Sequence, residues 1–330
     1  MHSHAVSVIV PAYRASSTLP SCLQAIGASR LRPDEVIVVS DGGEDEETSR
    51  IAHSSGARVV ALSRRVGPGG ARNAGVSEAR GDLLVFVDAD VCVQPEAIGT
   101  LTSALERDPK IDAVFGSYDS SPPRPNLVSQ YRNLLHHFVH QRGREDAFTF
   151  WAGLGAIRRA AFERIHGFDA ERYPHPSIED IDLGDRLRKS GGQMQLVKSA
   201  QGTHLKHWSL LGMISTDIFR RGLPWTELIL ASGKMPNDLN LGWRHRVGVG
   251  ATGVAIAAAV GAVVEPRLLW LSGLAVITAL VSASDVLAFL ARERGVLFAI
   301  RAAPLHLVHL AAAGVAFVLG SARHLRRRFA

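Results

Sequence analysis

Cysteine is almost missing from this chain: 330 residues carry two, Cys22 and Cys92. Neither has metal-ligand spacing, so both read as structural free thiols in a reducing compartment. The chain opens Met-His-Ser-His and enters an apolar strand at once. It shows no basic segment, apolar core and cleavage site there, so no secretory leader is expected. No Gly-x-Gly-x-x-Gly follows the first strand, where Pro11-Ala12-Tyr13 stands instead, and that removes a dinucleotide oxidoreductase. The formal charge of +6 is not gathered into one helix or tail of the polar half. That argues against nucleic acid as a partner and suits anionic lipid or phosphate.

Charge itself runs out from about Val247 onward, whereas residues 1 to about 205 mix charges with short apolar segments. In that first part, strands are expected at Val6–Val10, Glu35–Ser40, Arg58–Leu62, Leu83–Val87, Ala113–Tyr118 and Gln195–Val197. Helices are expected at 17–28, 45–54, 71–79, 94–107 and 126–141. Strand and helix in alternation predict an α/β fold with a parallel sheet and right-handed crossovers. Gly67-Pro68-Gly69-Gly70 reads as a loop leading into the 71–79 helix. His136, His137 and His140 share a helix without a carboxylate or cysteine at matching spacing, and read as solvated or packed residues rather than metal ligands.

The most telling stretch is Leu83-Leu84-Val85-Phe86-Val87-Asp88-Ala89-Asp90. A strand buried on both faces runs straight into two carboxylates one residue apart. In open α/β sheets ligands bind beyond the carboxyl ends of the strands. Residues i and i+2 face the same way in extended chain, so Asp88 and Asp90 together could hold Mg²⁺ or Mn²⁺ against a diphosphate.

Three further segments stand in order around it: Val8-Ile9-Val10-Pro11-Ala12-Tyr13, then Val38-Val39-Ser40-Asp41-Gly42-Gly43, and Gly70-Ala71-Arg72-Asn73-Ala74-Gly75. A fourth, Ile178-Glu179-Asp180-Ile181-Asp182-Leu183, follows later. With these segments the chain resembles the family 2 glycosyltransferases and their GT-A nucleotide-sugar-binding fold, over residues 6 to about 205. The resemblance implies that Pro11, Ala12 and Tyr13 line the nucleoside crevice and that Asp41 accepts from base or ribose. Arg72 would approach the diphosphate, while Asp88, Ala89 and Asp90 form the metal and donor turn. Asp180 would be the general base, with Glu179 positioning it or the acceptor. Asp182 and Asp185 would cap the helix or pair with Arg186 and Arg188. Trp151 and Gly153 fall where similar enzymes line the sugar pocket; Trp151 either stacks on a sugar or packs. His204, with His207 behind it, is the candidate for a further metal or diphosphate contact. Serine before Asp41 and arginine after Tyr13 depart from the family's usual residues, which leaves the nucleotide open.

Two apolar runs, 247–264 and 268–290, approach or exceed the ~17–25 residues that cross a bilayer. A third, 296–320, contains Arg301, Pro304, His306 and His309 and leads to Arg323, Arg326, Arg327 and Arg328. Three membrane-embedded helices are therefore expected. The two clean spans form a hairpin at Glu265-Pro266-Arg267, and the orientation of the last helix stays open because a full third span would break the positive-inside tendency. Asp285, costly in lipid, should face another helix or an edge. Residues 208–231 read as an interfacial helix or one packed on the catalytic domain. The expected division is 1–207 catalytic, 208–243 interfacial and 244–330 membrane, in a multi-pass inner-membrane protein with its catalytic domain in the cytoplasm. Its partners would be a nucleotide-sugar donor, the bilayer, and a lipid-linked or polysaccharide acceptor. A polyprenyl-phosphate sugar synthase and a non-catalytic nucleotide-sugar-binding scaffold are the alternatives.

Overall fold

The computed structural model describes residues 4–43, 45–233 and 235–329; Met1–Ser3, the start of the segment read for a leader, lie outside it. In chain order the first elements are β1 (Val6–Ala12), α1 (Leu19–Gly27), β2 (Glu35–Asp41), α2 (Glu46–Ser54), β3 (Arg58–Leu62), α3 (Gly67–Glu78), β4 (Leu83–Val87), β5 (Val91–Val93), α4 (Ala97–Arg107) and β6 (Ile111–Tyr118). After α5 (Leu127–Arg142) come β7 (Leu154–Arg158), α6 (Arg159–Arg164), α7 (Glu179–Lys189) and β8 (Gln193–His204). The chain divides into two compact units, 1–123 with 143–206, and 124–142 with 207–330. Helix α5 thus leaves the first unit between β6 and β7 and belongs with the C-terminal helices.

The first unit is built on one eight-stranded sheet in the order β3-β2-β1-β4-β7-β6-β8-β5. Strands β3, β2, β1 and β4 are parallel neighbours, as alternating strand and helix require. Their centres are dry: Val8, Ile9, Val10 and every residue of β4 are buried. Each such side chain contributes ~1.5–3 kcal/mol over an exposed one. The sheet is mixed rather than wholly parallel, because β7 pairs antiparallel with both β4 and β6, and β5 antiparallel with β8. Spacing does not reveal β7: Leu154-Gly155-Ala156-Ile157-Arg158 is five residues long and two of them are small. Strand β8 is longer than its apolar centre suggests, since its end Gly202–His204 is held by pairing with β5.

In the second unit, 208–231 is not one helix. It runs as α8 (Leu210–Ser215), a π-helical stretch (Thr216–Gly222) and α9 (Leu223–Ser232). Then follow α10 (Trp243–Gly261), α11 (Leu268–Ser282), α12 (Ser284–Arg294) and α13 (Val296–Phe329). The expected count of three spans needs correcting. Among the described residues one helix, Val296–Arg328, is long and apolar enough to cross a membrane, or two if the bent pair α11–α12 counts as one span. That pair breaks by 61° at Ala283. The first turn of helix α10 carries Trp243, Arg244, His245 and Arg246. Its apolar part, 247–261, reaches about 22 Å at ~1.5 Å per residue, against a hydrocarbon core of about 30 Å. Asp285 faces two guanidinium groups, Arg244 at 2.8 Å and Arg142 at 3.2 Å. Inside the unit, Arg132 of α5 makes two bonds to Asp217, which also lies 2.7 Å from His309 Nδ1 on α13.

Candidate active site

The carboxyl ends of β1 and β2 open a cleft of about 440 Å³ lined by Ala12, Tyr13, Arg14, Ser40, Asp41, Gly42, Asp45 and Glu46. Tyr13 is 38% exposed, and the Arg65 guanidinium lies over its ring at 3.9 Å, a cation–π contact. Arg65 stands in a loop with no motif around it, so spacing gives no sign of this contact. Asp41 is buried at the end of β2. Its two oxygens accept from the backbone N–H of Val66 (2.7 Å) and Gly67 (3.0 Å). A carboxylate at that point satisfies orphan donors and meets the positive end of the dipole. Helix α3 therefore starts at Gly67, not Ala71, with Pro68 in its first turn. The four residues read as a loop are helical.

One turn into α3, Arg72 is almost fully enclosed. Its guanidinium donates to Asp88 Oδ1 (2.6 Å) and to Glu179 Oε1 (3.2 Å). The expectation placed Arg72 against a diphosphate; the structure places it as the cation between two carboxylates. Asp180 is also near enough to raise the Arg72 pKa, which burial opposes and the three carboxylates together lift above its ordinary value. Asp88 feels burial first, then Arg72 pulling down and Asp90 pushing up, and its carboxyl ends above the usual range.

Asp88 and Asp90 sit on the turn between β4 and β5. Backbone bonds fix that turn: Asp88 N–H donates to Gly153 O, Val91 N–H to Asp88 O, and Leu205 N–H to Asp90 O. Pairing of β5 with β8 sets Val91 opposite His204, and His204 Nε2 lies 3.4 Å from Asp90 Oδ2. Burial works to raise the Asp90 carboxyl, but the His204 ring and Lys206 outweigh it and hold it below the ordinary range. Among the described residues no three His, Cys, Asp or Glu side chains converge on a metal position, so Asp88, Asp90 and His204 are not brought together as one set. Asp90 and His204 are. Two ligands in adjacent octahedral positions lie about 3 Å apart, so this carboxylate–imidazole pair fits a hard divalent ion that takes its remaining ligands from phosphates and water. His207 belongs to the other unit.

Helix α7 opens on the acids. Glu179 Oε2 accepts from Ser177 N–H (2.9 Å), and Asp180 accepts from Ala152 N–H (3.2 Å) and Ile181 N–H (2.9 Å). Asp182 is buried beneath them and bonded to Arg172 and Arg186. Asp185 pairs with Lys189 rather than an arginine. Trp151 is 9% exposed. Its indole covers Gly153, where a Cβ would lie 2.5 Å from the ring, and its edge meets Tyr118 with centroids 4.7 Å apart. Of the two readings of Trp151, packing describes its place here. Tyr118, which no motif marks, also stacks on His204 at 4.3 Å and 7°.

A sheet of this order with carboxylates after β4 and at the start of α7 defines a nucleotide-diphospho-sugar type of fold. Known proteins agree. A mannosyltransferase from Pyrobaculum calidifontis, solved in complex with GDP-Man and Mn²⁺, superposes with a TM-score of 0.60 at 19% identity, over 96% of this chain and 88% of that one. The family model described as glycosyl transferase family 2 matches residues 7–166, and that of the N-terminal domain of galactosyltransferase matches 132–208. Over residues 7–166 the chain is similar to the family 2 glycosyltransferases. An O-antigen chain rhamnosyltransferase of Salmonella typhimurium is 24% identical over 67% of this chain and 74% of its own length. An undecaprenyl-phosphate 4-deoxy-4-formamido-L-arabinose transferase of Pseudomonas fluorescens is 33% identical over 49% of each. The chain spans 60% of the length of an uncharacterized glycosyltransferase of Haemophilus influenzae, at 26% identity.

Proposed function

We propose that this chain is a metal-assisted, inverting glycosyltransferase that moves a sugar from a nucleoside-diphosphate sugar to a hydroxyl of a membrane-associated acceptor. The observation that carries the reading is one guanidinium, Arg72, joining the donor-side carboxylate Asp88 to Glu179 beside Asp180. The metal turn and the candidate base are thereby fixed relative to one another. Pro11, Ala12, Tyr13 and Asp41 hold the nucleoside in the cleft, with Asp88 and Ala89 at the ribose and diphosphate. Asp90 and His204 hold the divalent ion, Mg²⁺ or Mn²⁺, which when bound neutralises charge on the leaving nucleoside diphosphate. Asp180 takes the proton of the acceptor hydroxyl as its oxygen attacks the anomeric carbon. The new glycosidic bond forms on one face while the bond to the diphosphate breaks on the other. Glu179 positions Asp180, and Trp151 with Gly153 shapes the wall of the sugar pocket.

The first unit is the catalytic part in this reading, residues 208–243 an interfacial segment, and the remaining helices the anchor that brings the site to a lipid-linked or polysaccharide acceptor. Nucleotide sugars place the catalytic unit on the cytoplasmic side. The names of the relatives support a second reading, transfer to a polyprenyl phosphate. There the attacking oxygen is already anionic and needs no base.

The deciding experiment incubates detergent-solubilised protein with Mn²⁺, a lipid extract and a panel of nucleotide sugars, and reads lipid products by mass spectrometry. A new glycolipid lost with chelator and in Asp90→Ala is the expected result. Asp180→Asn separates the readings: removal of a general base costs ~10²–10⁴-fold in rate, whereas a phosphate acceptor would lose little. Wild-type protein that binds no nucleoside diphosphate with metal present would bring the non-catalytic scaffold forward.

A further inference from the structure

The C-terminal ends of β6 and β8 grip one another with two consecutive residues each. Their parallel register sets Tyr118 beside Gly202. Glycine is required at that point because a Cβ there would lie 2.7 Å from Val91 Cγ1. Residue 204 follows on the same face of β8, and Tyr118 stacks flat on it, ring centroids 4.3 Å apart and planes within 7°. On the opposite face the next residue along, Asp119, accepts from Thr203 Oγ1, and its backbone N–H donates to Gly202 O at 2.9 Å. Both aromatic partners are buried, Tyr118 at 7% and His204 at 6% exposure. The torsion that turns an imidazole about its own axis is broad and roughly two-fold when nothing restrains it. A parallel ring at van der Waals distance removes that freedom. His204 Nε2 is thereby kept 3.4 Å from Asp90 Oδ2. Trp151 meets Tyr118 in a T-shaped contact, 4.7 Å between centroids at 84°, which restrains the phenol ring in turn.

We propose that Tyr118 is a positioning residue that sets divalent-metal affinity by holding the His204 ring in the plane that aims Nε2 at the Asp90 side of the turn. The inference rests on the metal reading of the Asp90–His204 pair given above. It assigns the work to the ring and not to the phenol oxygen, so phenylalanine should serve as well as tyrosine.

Mn²⁺ binding to the full-length protein in detergent, without donor, is followed by electron paramagnetic resonance of the free ion. Tyr118→Phe should bind within about twofold of wild type, while Tyr118→Leu should weaken binding about 10–100-fold, the range for groups that orient a metal-binding histidine. In a His204→Ala background Tyr118→Leu should cost nothing more, since the two act as one unit. Tyr118→Met, measured in the same way, replaces the leucine variant if circular dichroism shows that the latter does not fold. A Tyr118→Leu protein that binds Mn²⁺ like wild type overturns the proposal, as does a loss that persists undiminished without His204. Wild type and Asp90→Ala binding Mn²⁺ alike would overturn the metal reading and this inference together. A wild-type signal lost in Asp90→Ala but kept in Tyr118→Leu would overturn this inference alone.

Discussion

Arg72 bridges two carboxylates of the site, Asp88 and Glu179. Its side chain is 4% exposed, and its partners Asp88 and Glu179 are 32% and 7% exposed. A buried cation between two carboxylates gains little over an apolar trio of the same volume, yet removing one member leaves charge without compensation. Arg72→Met should therefore cost about 3–5 kcal/mol, seen as a fall in the urea midpoint at neutral pH. Arg72→Lys should lose part of that, because an ammonium cannot span two carboxylates as a planar fork does. The residues that bear charge were legible in the sequence because strand ends advertise them: an apolar run stops and Asp41 or Asp88 follows. Their partners were not. That Arg72 turns inward to Asp88 and Glu179, 16 and 107 positions away, depends on how α3 and α7 pack. Tyr118 is one aromatic at a strand end, and only the β6–β8 register makes it a neighbour of His204.

At the scale of elements, helix starts show what local spacing reads well and what it misses. Asp45 caps α2 within its own segment, Oδ1 accepting from Thr48 N–H (3.1 Å) and Oδ2 from Thr48 Oγ1 (2.8 Å). Those bonds, the backbone one foremost, hold the Asp45 carboxyl below its ordinary range. A depressed carboxylate stabilises the fold above its unfolded pKa near ~3.9 and loses that contribution as pH falls through the folded value. Asp45→Ala should thus destabilise by ~1 kcal/mol at pH 7, and urea titrations should show the gap closing below about pH 4. The cap of α3 is different in kind. Its acceptor, Asp41, is 25 and 26 residues from the amides it serves, so Gly67–Gly70 offers no local sign of helix. Strand β7 escapes for a related reason, its identity coming from two antiparallel neighbours and not from its own five residues.

For the whole molecule, alternation of strand and helix made the parallel part of the sheet readable from sequence, but the chain does not divide at one point. Helix α5 interrupts the first unit and packs among C-terminal helices, a long-range choice that its amphipathic spacing cannot announce. What fixes it there is a buried ionic cluster: Arg132 donates to both oxygens of Asp217, at 3.2 and 2.5 Å, and His309 Nδ1 stands 2.7 Å from the same carboxylate. Tyr131, the residue before Arg132, reaches His306 Nδ1 at 2.9 Å. Burial alone would raise the Asp217 carboxyl; Arg132 first, then His309 and Arg221, reverse that and hold it far below the usual range. Its contribution is therefore present at neutral pH and disappears only on strong acidification. Because Arg132 and Asp217 are both buried, Asp217→Asn or Arg132→Gln should each cost about 3–5 kcal/mol, while Arg132→Met with Asp217→Leu should recover most of the loss. Thermal unfolding of the four proteins in one detergent measures the difference. Equal losses in single and double variants would mean that the cluster does not hold α5 through its charges, and that the apolar contacts of Leu134 and Leu135 carry the helix instead.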